Sequence, residues 1–369
     1  MHFVFVESFA INCWNGEICR FKKGISGSHN APMYLGEGLA KQGHEVEFVS
    51  ILNNMEETTY NDVTYINYDN YMNVTCDYVI TTNNLLDFKI FNKIKDFKKV
   101  FILMQNEIFC MHNDVNSLEQ YFKSYKENII ITYLNESGKT NIEFIQPFLK
   151  DYKSIILPNS IDLNDIKQFD ISKKENSVCF FACVERGLKL TIEIVNKLDN
   201  FIIYSNTYAD ENRHLIKASK KLIQTQGTSK YDISNYLVKS KYFIYPLINL
   251  DNNCIHYDTF AYVILEAILH GVIVIVPRIK SYEDLYGDSL CYVDSEGIIS
   301  DNDLIHWRQS NTGFKFIENF GYPLLDKYIE KVNLLENDEE LRKEYILKGL
   351  EVGKKYSNEE IMKKFMEHL

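Results

Sequence analysis

The sequence lacks a basic surplus, a cysteine framework, a membrane-length apolar run and any internal repeat, and each absence removes a class of function. Its 369 residues carry 40 Lys+Arg against 51 Asp+Glu, a formal net charge of −11. That balance excludes a general phosphate-backbone binder, which needs a basic surface, so no nucleic-acid partner is expected. The eight cysteines form no C-x-x-C pair and no Cys/His group at zinc-finger spacing, and they read as reduced thiols. Cys179 and Cys183, four apart, come closest to a metal pair, but they fall in and just after an apolar run where cysteine packs as a small hydrophobe. No apolar run approaches the roughly 18 residues of a membrane span. The opening MHFVFVESFA has neither the basic region nor the apolar core of a secretory leader. A cytoplasmic protein without a transmembrane segment is the expectation.

What is present is an ordinary globular composition, 46% hydrophobic and 25% charged, in a chain long enough for two domains at roughly 100 to 200 residues each. His2 to Val6 is a short apolar run; after a polar, Gly-containing loop, Met33, Tyr34, Leu35, Leu39 and Ala40 recur at helical spacing and stop at Gly43, and Val46 to Ile51 reads as a second strand. Apolar runs at Tyr78 to Ile80, Val100 to Met104, Ile129 to Thr132 and Ile155 to Leu157 continue the alternation. It restarts with strands at Val178 to Ala182, Phe201 to Tyr204 and Phe243 to Pro246 and helices at Leu188 to Leu198 and Ile233 to Val238. Phe260 to Leu269 is a nearly wholly apolar helix and Val272 to Val276 a strand of the kind buried on both faces. Beyond Leu324 the pattern is helical, with one helix over Glu336 to Gly353 and another over Ser357 to Leu369. The expected fold class is α/β: two Rossmann-like domains with parallel sheets, joined near Leu157-Pro158-Asn159, with ligand in the cleft at the carboxyl ends of the strands.

The segment His256 to Pro277 carries the chemistry. Glu266 stands among Val263, Ile264, Leu265, Ala267, Ile268 and Leu269, and a carboxylate there costs several kcal/mol, an order-of-magnitude figure, unless it is paired. Two readings stay open: an ion pair with a core Arg or Lys, or a carboxylate that grips vicinal hydroxyls of a ligand. Asp258, eight residues upstream, reads either as a helix N-cap or as a ligand contact. The N–H groups of Phe260, Ala261 and Tyr262 would make the helix start an anion site suited to a diphosphate.

Asp258-x7-Glu266, followed by Gly271 and an apolar strand, resembles the Glu-x7-Glu signature of retaining glycosyltransferases of the GT-B fold, specifically the large family 4. Asp258-Thr259-Phe260-Ala261 stands where that family has EGFG. Ile156-Leu157-Pro158-Asn159-Ser160-Ile161-Asp162 resembles its "vIPNGID" junction. Gly24-Ile25-Ser26-Gly27-Ser28 with YLGEGLAKQGHEV is similar to a subgroup's Gly-rich first loop and helix, with His29 in place of a Glu. Arg186-Gly187 resembles the "eKG" element, Gly227 to Ile233 the stretch near the base, and KKYSNEEIMKKFM the terminal helix that crosses back to the first domain. Phe181 replaces a further Arg of the family, and Gln105-Asn106-Glu107 stands where members often carry a His.

The resemblance implies transfer of a sugar, with retention, from a UDP- or GDP-sugar to a glycan or other hydroxyl acceptor, with no cofactor and no metal. It implies catalytic roles for Asp258, Glu266 and Arg186, and donor contacts from Gly27, Arg186, Gly187, Thr259, Phe260, Ala261, Tyr262 and Glu266. Ser26, Asn106, Asn159, Gly227 and Glu283 are further positions it brings in. The first domain would span residues 1–157 with the helix at about 357–369, and the donor domain 158–356. The rivals are a GT-B sugar-nucleotide epimerase or hydrolase, and a nucleotide-sugar binder without turnover. A dinucleotide oxidoreductase is remote, because no G-x-G-x-x-G follows the first strand and Ser50-Ile51 closes the second without an acid. Asp301-Asn302-Asp303 reads as a cap or turn rather than a metal motif.

Overall fold

A computed structural model describes residues 1–7, 15–24, 27–50, 57–71, 74–82, 94–105, 123, 125–206, 219–225, 229–249, 254–255, 258–294 and 321–369. The chain divides into two compact units, Met1–Asp162 with Tyr356–Leu369, and Leu163–Lys355. Ser26, Asn106, Gly227 and Asp301 to Asp303 lie outside the described residues.

The first unit runs β1 (His2–Glu7), α1 (Gly16–Phe21), α2 (Gly27–Lys41), β2 (Glu45–Ser50), β3 (Thr58–Tyr60), β4 (Val63–Asn67), β5 (Tyr78–Thr82), β6 (Lys99–Met104), β7 (Ile129–Tyr133), α3 (Glu136–Ile145) and β8 (Lys153–Ile156). Its sheet has the order β8-β7-β6-β5-β1-β2-β4-β3, parallel except for the β3–β4 hairpin. Val4, Val49, Val79, Ile102 and Ile131 form one core on a sheet face, as expected of apolar strands in a covered parallel sheet. The hairpin escaped the periodicity reading: its strands are mostly half-exposed, and Asn61 and Asp62, at φ 50° and 61°, make the tight turn that replaces an apolar signal.

The second unit runs β9 (Glu175–Phe180), α4 (Leu188–Lys197), β10 (Ile202–Ser205), β11 (Leu222–Gln224), α5 (Lys230–Leu237), β12 (Ser240–Ile244), α6 (Tyr262–Leu269), β13 (Ile273–Pro277), α7 (Lys280–Tyr286), β14 (Cys291–Val293), α8 (Gly321–Asn337) and α9 (Glu339–Lys354). Its sheet, β11-β10-β9-β12-β13-β14, is parallel throughout. The helix expected over Glu336 to Gly353 is α9, which starts three residues later, while Glu336 and Asn337 end α8. Asp338 separates the two and caps α9 by accepting from Leu341 N–H at 2.9 Å. Gly349 and Gly353 let α9 close onto Ile268 and Leu269 of α6, where an added Cβ would lie 3.1 and 2.7 Å from those side chains. Both faces of the α6–β13 segment are thus covered, as its apolar sequence requires.

The chain then returns to the first unit as α10 (Asn358–Met366). Ser357 accepts from Glu360 N–H as its N-cap. Phe365, fully buried, meets Phe101 edge-on at 4.8 Å, and Lys99 Nζ donates to the carbonyls of His368 and Leu369 at 3.1 and 2.9 Å. The expected terminal helix therefore packs on the first domain.

One buried histidine ties the loop before β9 to the end of α6. His270 Nδ1 lies 2.7 Å from Glu266 O and Nε2 accepts from Lys167 N–H at 3.2 Å, which assigns the neutral Nδ1–H tautomer. Burial pushes its pKa down to about 4. The unfolded chain binds a proton near pH 6.5 that the folded chain refuses until about pH 4. The group's stability, on the order of 3 kcal/mol, is therefore complete above about pH 6.5 and is lost as pH falls toward 4. Denaturant melts of the wild type and His270→Gln across that window should show a shallower acid limb in the variant; an unchanged slope would count against it.

Candidate functional site

In a parallel α/β sheet the helices run against the strands, so the strands' carboxyl ends and the helices' amino ends share one edge. Arg186 lies just beyond β9, Tyr245 just beyond β12, and Lys230 opens α5 after β11. α6 begins at the same edge, preceded by Asp258.

Arg186 Nη1 donates to Asp258 Oδ2 in a short ion pair and to the Tyr245 hydroxyl at 3.1 Å. Tyr245 O–H in turn donates to Asp258 Oδ2 at 3.0 Å. Burial raises the Tyr245 pKa well above its ordinary value, so the phenol is a neutral relay that accepts from the guanidinium and donates to the carboxylate. Asp258 Oδ1 accepts from Phe260 N–H at 3.2 Å, and Ser281 Oγ donates to Asp258 O at 2.9 Å. The Asp258 side chain is 11% exposed and that of Arg186 30%. Among the described residues the side-chain hydrogen bonds of Arg186 are made by Nη1, and Nε and Nη2 are not used.

This geometry corrects two expectations. Asp258 is not the N-cap of α6: the helix starts at Tyr262, Ala261 occupies the cap position, and no side chain caps it. The physical reason is the Asp258–Phe260 turn, which holds residues 258–260 out of the helix. That turn also removes Phe260 N–H from the anion site, because Asp258 already occupies it. Thr259, Phe260, Ala261 and Tyr262 are all buried and form the wall that leads into α6.

Glu266 forms the ion pair of the first of its two readings. Lys230 Nζ donates to Oε1 in a short ion pair, with side-chain exposures of 10% and 12%. Oε2 accepts no hydrogen bond among the described residues, so half of the carboxylate stays open. Tyr262 precedes Glu266 by one helical turn on the same face, and Lys230 Nζ lies 5.7 Å from its ring centroid.

Gly187, at φ 121°, sits where a Cβ would lie 2.8 Å from Pro246 Cδ, and it lets the Arg186 turn close onto the Tyr245-Pro246 segment. Leu247, buried, holds φ 59°, an uncommon conformation for a branched residue that marks strain beside the site. Sequence reasoning missed Tyr245 and Lys230. The signal for Tyr245 was a polar tip directly after a buried strand. For Lys230 it was a lysine at the first position of a helix, where the dipole disfavours a cation.

Within the second unit, Glu283 is engaged elsewhere. Glu283 on α7 pairs with Arg278 at 3.0 Å near the surface, and Arg278 also holds Asp294 at 2.6 Å. Asn159, in the first unit, exchanges two amide hydrogen bonds with Gln105 at 2.9 and 2.8 Å, a closed buried pair rather than an Asx turn. Gly27, also in the first unit, is the first residue of α2. Cys179 is a buried thiol pushed up to about 12 by desolvation, with its Sγ 3.4 Å from Tyr242 O, an environment for a packed thiol rather than a metal-binding thiolate. Among the described residues His2, Glu45 and Glu47 bring ligand atoms within 4.8 Å of one another. They lie at the amino-terminal ends of β1 and β2, where His2 Nε2 pairs with Glu47 at 3.1 Å.

No protein-family model matches the chain, and no curated protein matches it. Solved structures do. Sucrose-phosphate synthase from Thermosynechococcus elongatus is similar over 100% of this chain and 98% of its own, with TM-score 0.69 and 10% identity. The Anabaena protein HepE, in complex with UDP and glucose, is similar over 100% and 99%, with TM-score 0.64 and 8% identity. A glycosyltransferase from Rickettsia africae gives 99% and 97%, TM-score 0.61 and 12% identity. At these identities the likeness establishes the fold, which is GT-B. Among the described residues no helix is long and apolar enough to cross a membrane.

Proposed function

We propose that the protein is a retaining glycosyltransferase that moves a sugar from a nucleoside diphosphate sugar to a hydroxyl of a glycan or similar acceptor. One observation carries this reading: at the carboxyl edge of the second unit's sheet, a half-used guanidinium is held by the segment that leads into one buried helix, and a half-used carboxylate lies one turn inside that helix. Arg186 offers Nε and Nη2 to a diphosphate while Nη1 stays anchored to Asp258 and Tyr245. The amino end of α6 adds its dipole to the same charge. Glu266 Oε2 faces the ribose hydroxyls. In this scheme Asp258 positions Arg186, and negative charge developing on the leaving diphosphate meets a fixed cation and a helix terminus, the kind of preorganised stabilisation that dominates such reactions. No step calls on a divalent metal, and none calls on an added cofactor. The solved HepE complex with UDP and glucose supports a nucleotide-sugar donor on this fold.

A second reading, a nucleotide-sugar binder without turnover, draws on the Asp258 carboxylate, both of whose oxygens are already bonded within the protein. One experiment separates them. Purified protein is melted with individual UDP- and GDP-sugars in chelator, and released nucleoside diphosphate is followed with and without acceptor hydroxyls. Stabilisation by one donor, with release that disappears in Glu266→Gln, is the expected result. Stabilisation with no release across an acceptor panel would favour the binder, and no stabilisation at saturating donor would remove both.

A further inference from the structure

Lys230 is placed against local rule. It is the first residue of α5, where a helix favours anions, and its ammonium is nearly buried, at 10% side-chain exposure. The capping box of Ser229 and Asp232 already satisfies that helix end, so a lysine adds nothing to α5. Its pairing offsets the cost of burying Glu266, but the pair as a whole seldom outdoes well-packed apolar residues of similar volume, so packing alone does not account for the two charges together. A buried charged pair that breaks a local rule at a helix start, where apolar residues would serve packing as well, points to function.

The geometry points to the function. The ammonium holds one oxygen of Glu266, Oε1, and the other takes no bond among the described residues. Tyr262, one turn before Glu266 on α6, has its ring 5.7 Å from the same ammonium. A carboxylate fixed at one oxygen presents the other in a single orientation, whereas an unclamped Glu side chain samples several rotamers. We infer that Lys230 is the positioning residue for Glu266 in reading the ribose of the donor nucleotide, and that the preference for ribose over deoxyribose depends on it. This rests on the donor site proposed above. Removal of a hydroxyl leaves Glu266 Oε2 unpaired in a nearly buried setting, and that is the kind of contact from which large discrimination arises.

The test is calorimetric titration of the full chain with UDP and 2′-deoxy-UDP, and with GDP and 2′-deoxy-GDP, for the wild type, Glu266→Gln, Lys230→Met and Lys230→Arg, each checked for folding by circular dichroism. The wild type is expected to prefer the ribonucleotide by about tenfold, the order of one hydrogen bond to a charged group. Glu266→Gln and Lys230→Met should each cut that preference at least threefold, and Lys230→Arg should restore it. A merely structural lysine would lower affinity for ribo- and deoxyribonucleotide equally. A ribose preference that persists in Lys230→Met but falls in Glu266→Gln overturns this inference and leaves the donor site standing. Failure of the wild type to bind any of the four nucleotides overturns the donor-site reading, and the inference with it.

Discussion

Arg186→Ala is expected to lower the stability of the second unit by about 3 kcal/mol, the lower end of what removing one partner of a buried ion pair costs, and to weaken nucleoside diphosphate binding by about tenfold to a hundredfold. The stability loss follows from what stays behind. Asp258, 11% exposed, keeps the Tyr245 hydroxyl and the Phe260 N–H, but it loses its cation in a setting where water replaces it poorly. The reverse change, Asp258→Asn, should cost clearly less, because the Arg186 side chain is 30% exposed and can hydrate itself. That asymmetry is the decisive readout of paired chemical melts. Equal losses would mean that the pair is solvated on both sides, and no loss in Arg186→Ala would mean that it does not form. Binding separates the roles further. Asp258→Asn keeps the guanidinium and should retain most diphosphate affinity while lowering turnover, as expected of a residue that aims Arg186 rather than one that binds ligand.

Much of the architecture could be read from runs of apolar residues, because buried parallel strands such as β6, β7 and β13 leave few polar positions to blur the pattern. The α6–β13 segment was legible for the same reason. Boundaries were less so. Phe260 and Ala261 continue the apolar run of α6, but Asp258 accepts from Phe260 N–H and the helix starts at Tyr262. The break at Asp338 hides within a run of helix-compatible charged residues, and the Thr58–Asn67 hairpin within polar strands. The site itself was half visible. Asp258 and Glu266 share one segment whose spacing could be recognised, but their partners are remote in sequence: Arg186 is 72 residues from Asp258 and Lys230 36 from Glu266. No periodicity connects residues at such separations. Sheet order does so, by setting the ends of β9, β11 and β12 along one edge.

Gly187→Ala should disable the same edge without touching a charged group. At φ 121° and ψ 17° the position lies outside the left-handed helical region that Asn or Asp tolerate, so alanine stores about 1–3 kcal/mol of backbone strain. Its Cβ would also lie 2.8, 3.0 and 3.2 Å from the Cδ, Cγ and Cβ of Pro246, ring atoms that cannot swing aside, and overpacking of this kind costs about 1–3 kcal/mol more. Either outlet for the strain damages the site. If the 184–187 turn retreats, Arg186 leaves Asp258; if Pro246 retreats, Tyr245 leaves both. The control is Gly287→Ala in the same unit, also at positive φ (54°) but with nothing within 4 Å of the added Cβ. At φ 54° and ψ −133° it should cost only the backbone part, about 1–3 kcal/mol, without the overpacking. Thermal melts should therefore rank Gly187→Ala below Gly287→Ala by the overpacking part alone, and donor titrations should show weakened binding for the first alone. Similar melting of the two variants would mean that Pro246 yields freely. The Arg186–Tyr245–Asp258 arrangement would then not depend on the close approach of these two turns.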